Sequence, residues 1–485
     1  MLLSKLLKGI EYEKNDLAPL DVETVTSDVD LIREKTLFIF LKGTKFDKKN
    51  TAAAINSKRP LLIISDTELS GINIPILYVK NARMAYAYAL WNLCEINSEK
   101  IKFYAVTGTN GKTTTATMLY KIFTSTGAKC GFIGTGKIII EDKIISDEFY
   151  SMTTPDPEIL YPTIKRMQND GCEKIVMEIS SHSLALNKIA PIRFETSIFT
   201  NLTEEHLDFH KTMENYYKAK LSLFFQSKNA VFNLDDKYAR KARTFIDNYI
   251  ETYGIGLDFD ADAMAKDVKY EGFDGISYLY REKDKIFKVE LQTSGKHNVL
   301  NSMLAIKCAL IANVSPRVIR ESFRNQKGIE GRFEIISRKP IVIIDYAHTP
   351  EALERILKSI RELKTDTQNI ITVFGCGGER DTQKRPKMAE ISEAFSDITI
   401  ITSDNSRNES LSKIISEIIV GFTNDAKYRV LPKREEAILH AIEKAGDTDI
   451  VLLIGKGHER YTIDANGYHH FDERKIIHTA IKEKN

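Results

Sequence analysis

The sequence contains few cysteines, and none of them belongs to a Cys-x-x-Cys pair. Its five cysteines are Cys94, Cys130, Cys172, Cys308 and Cys376. A disulfide scaffold would need an even number at short, regular spacings, and a structural zinc site would need paired cysteines. The sequence therefore argues against both and is typical of an enzyme that keeps its thiols reduced.

Long hydrophobic runs and a large charge of one sign are also missing. No segment approaches the ~18 consecutive apolar residues of a membrane helix, and the N-terminus lacks the pattern of a signal peptide. The formal net charge is only +2 over 485 residues, whereas a general nucleic-acid-binding surface would show a basic excess. We therefore expect a cytoplasmic protein with no nucleic-acid partner and no membrane insertion, and we further expect a monomer.

What the sequence does contain is a regular alternation of short apolar runs with helical patterns. The runs predict strands at Ile101–Thr107, Lys174–Ile179, Thr196–Thr200, Ala230–Asn233, Pro340–Asp345, Asn369–Phe374, Ile398–Thr402 and Asp449–Ile454. This rhythm predicts parallel sheets with helices on both faces. Because one core stops growing near ~250–300 residues, we predict three α/β domains at 1–98, 99–331 and 332–485. The first is small, the second has a P-loop-type, mostly parallel sheet, and the third is Rossmann-like.

The strongest motif is a glycine-rich loop between a predicted strand and a predicted helix. Its residues are Gly108, Thr109, Asn110, Gly111, Lys112, Thr113 and Thr114. Glycines let backbone N–H groups point at a phosphate, and the start of the helix adds partial positive charge. Lys112 can reach the β- and γ-phosphates, and the Thr113 hydroxyl can bind Mg²⁺. The loop predicts ATP use but leaves kinase, GTPase and ligase open.

Two further strand ends carry acidic and histidine side chains. Glu178 and His182 lie at the end of one predicted strand, and His206 follows another. Mg²⁺ prefers hard oxygen ligands beside phosphate oxygens and water, so Glu178 suits that ion. His206 is a less usual ligand, and the residues alone favour a structural or hydrogen-bonding histidine.

Four segments taken together resemble the signature series of the Mur ligases, the ATP-dependent amide-forming enzymes of peptidoglycan assembly. They are Thr107–Thr114, Met177–His182, Thr200–Asp208 and Asp345–Pro350. The resemblance extends from about residue 100 onward. It implies that the three domains bind, in order, a UDP-linked substrate, ATP and an amino acid.

The resemblance also implies roles for single residues. The catalytic residues would be Lys112, Glu178, His206 and Lys220. Magnesium would be held by Thr113, Glu178, His206 and a carbamylated Lys220, whose carbamate is a hard anionic ligand. The ATP-binding residues beyond the loop would be Asn298, Asn301, Arg332, Asp345 and His348.

Within the family, two C-terminal motifs are similar to those of the ligases that add the third peptide residue. These motifs are Phe374–Met388 and Gly455–Glu459. Such an enzyme joins a diamino acid to UDP-N-acetylmuramoyl-L-alanyl-D-glutamate through an acyl phosphate. Contacts to this substrate are expected from Ser27, Thr153, Thr154, Ser181 and Lys188. The family's uracil-contacting residues are not matched in the first domain.

The expected amino-acid pocket indicates what is added. Its residues would be Arg380, Asp404, Asn405, Arg407, Gly455 and Glu459. Members that add meso-diaminopimelate carry Asp-Asn-Pro-Arg; here Arg407 is kept and Ser406 replaces the proline. A guanidinium matches a second carboxylate, which favours meso-diaminopimelate or an analogue such as lanthionine. L-Lysine as the added residue, a folylpolyglutamate synthetase-like ligase and a nucleotide-switched binding protein are the alternatives.

Overall fold

The described residues build three separate β-sheets of four, eleven and six strands and a two-stranded ribbon. The computed structural model describes residues 1–12, 19–43, 49–146, 151–326 and 328–484. Each large sheet occupies its own stretch of sequence, so the three-domain α/β architecture expected from the sequence is confirmed. Within the described residues, no helix is long and apolar enough to cross a membrane.

The N-terminal sheet has four parallel strands in the order β1-β2-β3-β4. The strands are β1 (Thr24–Thr26), β2 (Thr36–Ile39), β3 (Leu62–Ser65) and β4 (Ile76–Tyr78), and the helices are α1 (Leu3–Leu6), α2 (Ala52–Lys58) and α3 (Ala82–Leu93). Every residue of β2 and of β3 is buried. Continuous apolar strands of this kind are typical of parallel sheets covered on both faces.

The central sheet has eleven strands in the order β15-β14-β13-β12-β11-β10-β5-β9-β6-β7-β8. The strands are β5 (Lys102–Thr107), β6 (Cys130–Gly134), β7 (Lys137–Ile140), β8 (Lys143–Ile144), β9 (Lys174–Glu178), β10 (Phe194–Phe199), β11 (Ser227–Asn233), β12 (Glu251–Gly256), β13 (Ala263–Tyr270), β14 (Ile276–Glu282) and β15 (Lys285–Leu291). The helices are α4 (Lys112–Thr124), α5 (Pro157–Asn169), α6 (Ser181–Ala185), α7 (Leu207–His210), α8 (Met213–Leu221), α9 (Lys237–Ile246), α10 (Lys296–Ile311) and α11 (Pro316–Asn325).

The middle of this sheet fixes where ligands collect. Strand β5 lies between β9 and β10, both parallel to it, with Val106 beside Glu178 and Thr107 beside Phe199. The three strands therefore end at the same level. In parallel α/β sheets, ligands bind in the crevice outside the carboxyl ends of the strands.

The third sheet has the order β16-β17-β21-β18-β19-β20, parallel except for β16. The strands are β16 (Glu334–Arg338), β17 (Ile341–Asp345), β18 (Ile370–Phe374), β19 (Ile398–Ile401), β20 (Tyr428–Val430) and β21 (Ile450–Ile454), and the ribbon is β22 (Tyr461–Asp464) with β23 (Gly467–His470). The helices are α12 (Pro350–Leu363), α13 (Lys384–Phe395), α14 (Leu411–Ile419), α15 (Arg434–Lys444) and α16 (Glu473–Lys484).

All eight strands predicted from the sequence are present, at β5, β9, β10, β11, β17, β18, β19 and β21. The antiparallel strands at both edges of the central sheet were not among the predictions. These edge strands are partly exposed, so they lack the continuous apolar run that marks a buried parallel strand.

Candidate active site

The glycine-rich loop connects β5 to α4 and depends on two of its glycines. Gly108 has φ +145°, and a Cβ there would lie 1.9 Å from Oγ1 of Thr200. Gly111 has φ +82°, and a Cβ there would lie 2.5 Å from Oδ1 of Asn301. Other side chains disfavour these backbone angles, and neither position has room for a side chain. The loop is thereby held against the ends of β10 and α10.

Lys112 folds back over this loop at the start of α4. Its Nζ donates to the carbonyl oxygens of Gly108 at 3.0 Å and Thr109 at 2.8 Å. Burial lowers the pKa of Lys112, while the nearby carboxylates of Glu205 and Glu178 oppose that shift. The ammonium group therefore lies at the point where a bound phosphate would meet the helix N-terminus.

The carboxylate of Glu178 is fully buried at the end of β9 and accepts three hydrogen bonds. The Thr113 hydroxyl donates to Oε2 at 2.8 Å. Thr135 donates its backbone N–H to Oε1 at 2.9 Å and its hydroxyl to Oε2 at 3.0 Å. Hydroxyl and carboxylate oxygens thus converge beside the phosphate loop, and these are the hard donors that Mg²⁺ prefers.

Lys220 on α8 is buried directly beneath the loop. Its Nζ donates to the carbonyl oxygen of Gly108 at 2.8 Å and lies 4.8 Å from the centroid of the Tyr216 ring. Burial lowers the pKa of Lys220 well below its usual value, and the charge of Lys112 lowers it further. No carboxylate forms an ion pair with Lys220 in the described part of the chain. The site therefore favours a neutral amine.

His206 also lies near Tyr216 and has a left-handed backbone, φ +59°. Its ring centroid is 4.8 Å from that of His182 and 6.2 Å from that of Tyr216, and Nε2 is 3.6 Å from the Glu205 carboxylate. Among the residues described, no three or more His, Cys, Asp or Glu side chains are grouped closely enough to hold a metal ion. A magnesium site here would therefore need the Thr113 hydroxyl, a modified Lys220 or substrate oxygens to complete it.

Arg332 joins the third domain to the phosphate loop. Its Nη2 donates to the Thr113 hydroxyl at 3.2 Å, and its guanidinium lies 4.6 Å from the Tyr346 ring centroid. Its Nε is buried without a hydrogen-bond partner. A buried unpaired donor is costly, so this atom points to an anionic group that the site is built to receive.

Asp345 at the end of β17 shapes the adjacent turns. Its two carboxylate oxygens accept the backbone N–H groups of Phe333 and Ala347, each at 2.7 Å. Burial raises its pKa, and the charge of Arg332 opposes that shift. Asp345 therefore fixes two backbone segments of the third domain, at Phe333 and Ala347, on its side of the crevice that faces the central domain.

A cavity of about 330 Å³ occupies this crevice. Seven predicted ATP-binding residues line it: Asn110, Gly111, Thr114, Asn298, Asn301, Arg332 and Asp345. Five other predicted ATP-binding residues do not line it: Gly108, Thr109, Lys112, Thr113 and His348. The His348 ring packs on Tyr346 with the centroids 5.0 Å apart. The volume is within the range of small-molecule sites.

The cavity also contains polar residues that the sequence analysis missed, namely Asn233, Asp235, Asp236, His297 and Arg355. Three of them lie at or just after the end of β11. The rule that ligands collect at strand ends could have found those three. Arg355 lies inside an amphipathic helix, and only the approach of the third domain brings it to the cavity.

The residues predicted for the UDP-linked substrate lie beside Glu178. Thr154 donates to the backbone oxygen of Glu178 at 2.8 Å, and the hydroxyls of Thr153 and Thr135 are 3.0 Å apart. Ser181 Oγ is 2.9 Å from Nε2 of His210. These hydroxyls are therefore held in place by the same strand end as the carboxylate.

The remaining two residues of this group lie where the N-terminal and central domains meet. Ser27 is buried, and its side chain and that of Glu158 both hydrogen-bond Tyr86. Lys188 forms an ion pair of 2.5 Å with Asp156. The charge of Lys188 is therefore partly neutralised by that carboxylate.

The predicted amino-acid residues converge around Lys456, a fully buried cation. Its Nζ donates to Oδ1 of Asn405 at 2.6 Å and lies 3.7 Å from Asp404 and 3.5 Å from Glu459. Asn405 in turn donates Nδ2 to Glu459 at 2.9 Å. Gly455 is required beside them, because a Cβ there would lie 2.5 Å from Oδ2 of Asp404. The sequence analysis missed Lys456, although it follows Gly455 directly.

Arg407 approaches the same pocket from the loop after β19. Its Nη1 donates to the carbonyl oxygens of Gly378 at 2.9 Å and Asn405 at 3.2 Å. A Cβ on Gly377 would lie 3.2 Å from Nη1 of Arg407 and 3.7 Å from Cγ of Arg380. Within the described ranges, no carboxylate forms an ion pair with either arginine. Both guanidinium groups can therefore pair with an anionic group of a ligand.

The loop that carries Glu459 also closes against the central domain. A Cβ on Gly136 would lie 2.0 Å from Nε2 of His458, and one on Gly331 would lie 2.3 Å from the His458 backbone nitrogen. Burial lowers the pKa of His458 to about 3. Glu330 bridges the domains, with Lys137 at 2.8 Å and Arg460 at 3.0 Å. The predicted amino-acid pocket is thereby brought to the side of the central domain that carries the glycine-rich loop.

Comparisons with known proteins agree with this arrangement. Residues 106–309 match the Mur ligase middle domain, and residues 331–457 match the Mur ligase, glutamate ligase domain. A Clostridium acetobutylicum protein named UDP-N-acetylmuramoyl-L-alanyl-D-glutamate--2,6-diaminopimelate ligase 1 is 37% identical, with 100% of both chains covered. The Clostridioides difficile ligase named for the same reaction is also 37% identical over 100% of both chains.

Solved structures of ligases are also similar to this chain. A structure of a UDP-N-acetylmuramoyl-L-alanyl-D-glutamate--2,6-diaminopimelate ligase superposes with a TM-score of 0.71 at 28% identity, covering 97% of each chain. A Mycobacterium tuberculosis folylpolyglutamate synthase superposes with a TM-score of 0.63 at 15% identity, covering 78% of this chain and 92% of that one. The second likeness concerns the fold alone.

Proposed function

Because the chain belongs to the Mur ligase family and is an ATP-dependent ligase, we propose that it adds a diamino diacid to UDP-N-acetylmuramoyl-L-alanyl-D-glutamate in peptidoglycan biosynthesis. The added residue is 2,6-diaminopimelate or a close analogue such as lanthionine. The observation that carries this choice is Arg407, whose guanidinium donates hydrogen bonds to backbone carbonyl oxygens and forms no ion pair with a carboxylate in the described part of the chain. A cation without a carboxylate partner suits a substrate with a second carboxylate.

The first step forms an acyl phosphate. A carboxylate oxygen of the D-glutamyl residue attacks the γ-phosphorus of ATP, and the bond to ADP breaks. Lys112 and the N-terminus of α4 stabilise negative charge on the transferring phosphoryl group. Arg332 adds a second cation, and its unpaired buried Nε supports this role.

The second step forms the amide. The amine of the incoming amino acid attacks the acyl carbon, phosphate leaves, and the nitrogen loses a proton. Asp404 and Glu459 supply the negative charge that attracts the substrate's ammonium group, and Lys456 keeps both carboxylates in place. The contact between His458 and Gly136 supports a reaction in which the two domains close, so that the amine meets the acyl phosphate.

The donor set beside the phosphate loop fits Mg²⁺. The Thr113 hydroxyl and the Glu178 carboxylate are 2.8 Å apart and are both hard oxygen donors. Bound Mg²⁺ would neutralise charge on the phosphate oxygens. His206 would complete a second ion's surroundings together with Lys220.

We infer that Lys220 is carbamylated in the active enzyme. A neutral amine attacks the carbon of CO₂ and releases a proton, which gives a carbamate anion. Burial and the charge of Lys112 both lower the pKa of Lys220, and this favours the reactive neutral form. The carbamate would turn a buried amine into an oxygen ligand for Mg²⁺.

The remaining parts of the proposal concern the whole chain. We infer that residues 1–98 bind the uridine nucleotide, 99–331 bind ATP and 332–485 bind the amino acid. We also infer a cytoplasmic monomer. Light scattering of the purified protein tests the monomer, and a stable dimer would contradict it.

One assay tests the proposed function. Phosphate release is measured with ATP, UDP-N-acetylmuramoyl-L-alanyl-D-glutamate and a panel of diaminopimelate, lanthionine, lysine and ornithine. We expect release with the two diacids and little with lysine or ornithine. A clear preference for lysine would overturn the role of Arg407, and no release with any amino acid would overturn the ligase proposal.

A further inference from the structure

Arg385 at the start of α13 is a fully buried guanidinium that no step of the reaction uses. It forms a two-pronged ion pair with Glu409, Nη1 to Oε1 at 2.9 Å and Nη2 to Oε2 at 2.8 Å. Nη1 also donates to Glu417 of α14 at 2.5 Å, and Nη2 donates to the backbone oxygen of Gly377 at 3.2 Å. One side chain thus joins α14 to two loops.

Those two loops are the ones that carry Arg380 and Arg407. Glu409 Oε2 accepts the backbone N–H of Glu379 at 3.0 Å, so its carboxylate binds the first loop as well as Arg385. The loops also pair directly, with the Gly378 N–H donating to the Asn405 oxygen at 2.9 Å. The Arg385–Glu409 pair, which we call the clamp, therefore lies behind both arginines of the amino-acid pocket.

The position of Arg407 depends on this backbone pairing. Its Nη1 is held by the carbonyl oxygens of Gly378 and Asn405, one from each loop. Its own backbone is left-handed, with φ +53°, a conformation that the surrounding structure must enforce. If the loops separate, both hydrogen bonds that aim the guanidinium weaken together.

We propose that the clamp is a positioning device that fixes Arg407 and Arg380 for the distal carboxylate of the incoming amino acid. This inference rests on the proposed function, because it assumes a substrate with that second carboxylate. Neither clamp residue needs to touch the substrate. A buried ion-paired support, here with both Nη1 and Nη2 of Arg385 bonded, holds a recognition group in a narrow range of positions, and that narrow range makes the group selective.

Two variants test the clamp. Glu409→Gln keeps the shape of the side chain but removes the negative charge that pairs with the Arg385 guanidinium. Arg385→Lys keeps the positive charge but cannot bind both carboxylate oxygens of Glu409 at once. Lys413→Met is the matched control, since exposed Lys413 contacts the same carboxylates, Glu409 at 3.4 Å and Glu417 at 3.8 Å. The readouts are KM for diaminopimelate, ATP and the UDP-dipeptide, with circular dichroism to verify folding.

We expect both clamp variants to raise KM for diaminopimelate about 10-fold, the size of one weakened charged hydrogen bond. KM for ATP and the UDP-dipeptide should stay within about two-fold of wild type, as should all constants of Lys413→Met. In an Arg407→Ala background, Glu409→Gln should raise KM for diaminopimelate little further, because the guanidinium that Glu409 helps to position is absent.

Three results would overturn the inference: an unchanged KM for diaminopimelate in folded Glu409→Gln, an equal rise in all three KM values, or full additivity with Arg407→Ala. A wild-type enzyme that uses neither diaminopimelate nor lanthionine overturns the proposed substrate and this inference with it. A wild type that uses one of these diacids, with an unchanged KM for that diacid in Glu409→Gln, overturns the inference alone.

Discussion

Gly111 of the phosphate loop and Asn301 of α10 are in direct contact, and a Cβ on Gly111 would lie 2.5 Å from the Asn301 Oδ1 atom. That oxygen also accepts a hydrogen bond from Thr115 at 3.3 Å. The loop, α4 and α10 therefore meet at one point on the wall of the cavity. A side chain at residue 111 has to move one of these three elements.

Gly111→Ala should weaken ATP binding more than its backbone angle alone explains. Gly127 provides the matched control, because it has the same φ of +82° but no heavy atom within 4 Å of a Cβ. Both alanine variants should lose about 1–2 kcal/mol of unfolding free energy for the left-handed backbone. Only Gly111→Ala should also raise KM for ATP, by about 10-fold or more. Equal KM values in the two variants would contradict the contact with Asn301.

Lys220→Ala should lose nearly all activity and recover part of it with added short carboxylic acids. Removing an anionic ligand of a catalytic metal costs several kcal/mol, which is about 1,000-fold in rate. Lys218→Ala is the control on the same helix, since that lysine is exposed and pairs with Glu214 at 3.6 Å. Phosphate release with and without acetate or propionate measures the effect. A fully active Lys220→Ala enzyme would rule out the carbamate.

Arg407→Ala should discriminate between amino acids. Loss of a charge-assisted contact to the distal carboxylate should raise KM for diaminopimelate about 10- to 100-fold. KM for lysine should change little, because lysine has no such carboxylate. Arg429→Ala, an exposed arginine of the same domain, should leave both constants unaltered. Equal losses with the two amino acids would mean that Arg407 does not recognise the distal carboxylate.

The unfolding free energy should fall as the pH is lowered through the range in which His458 of the unfolded and then of the folded protein takes up a proton. Burial lowers the pKa of this imidazole from 6.5 to about 3, so the folded protein excludes a proton that the unfolded chain binds. The stabilisation is fully present above about pH 7 and is lost between pH 6.5 and 3, by at most about 1.4 kcal/mol per pH unit.

His458→Gln should therefore show a shallower decline of the unfolding free energy between pH 7 and pH 5 than wild type. His297, whose pKa burial lowers to about 3 as well, accounts for part of the slope that remains. Chemical denaturation at several pH values measures the unfolding free energy of each variant. His470→Gln, which changes an exposed histidine, is the control. Identical slopes in wild type and His458→Gln would contradict the burial of this ring at the domain contact.

The sequence alone determined the features that depend on local chemistry. The eight buried strands were predictable because a parallel strand covered on both faces must be apolar throughout. The phosphate loop was predictable because Gly108, Gly111 and Lys112 are required within a few residues of one another. The expected amino-acid residues came instead from short motifs that resemble those of the Mur ligases.

Only the tertiary structure decided which distant groups support those motifs. Arg355 reaches the cavity because the third domain packs on the central one, and Lys456 lies at the centre of its pocket because Asp404 and Glu459 approach from separate loops. Arg385 joins segments up to 32 positions away in the chain. Burial and charge pairing of this kind arise from the folded arrangement, and no spacing within the sequence encodes them.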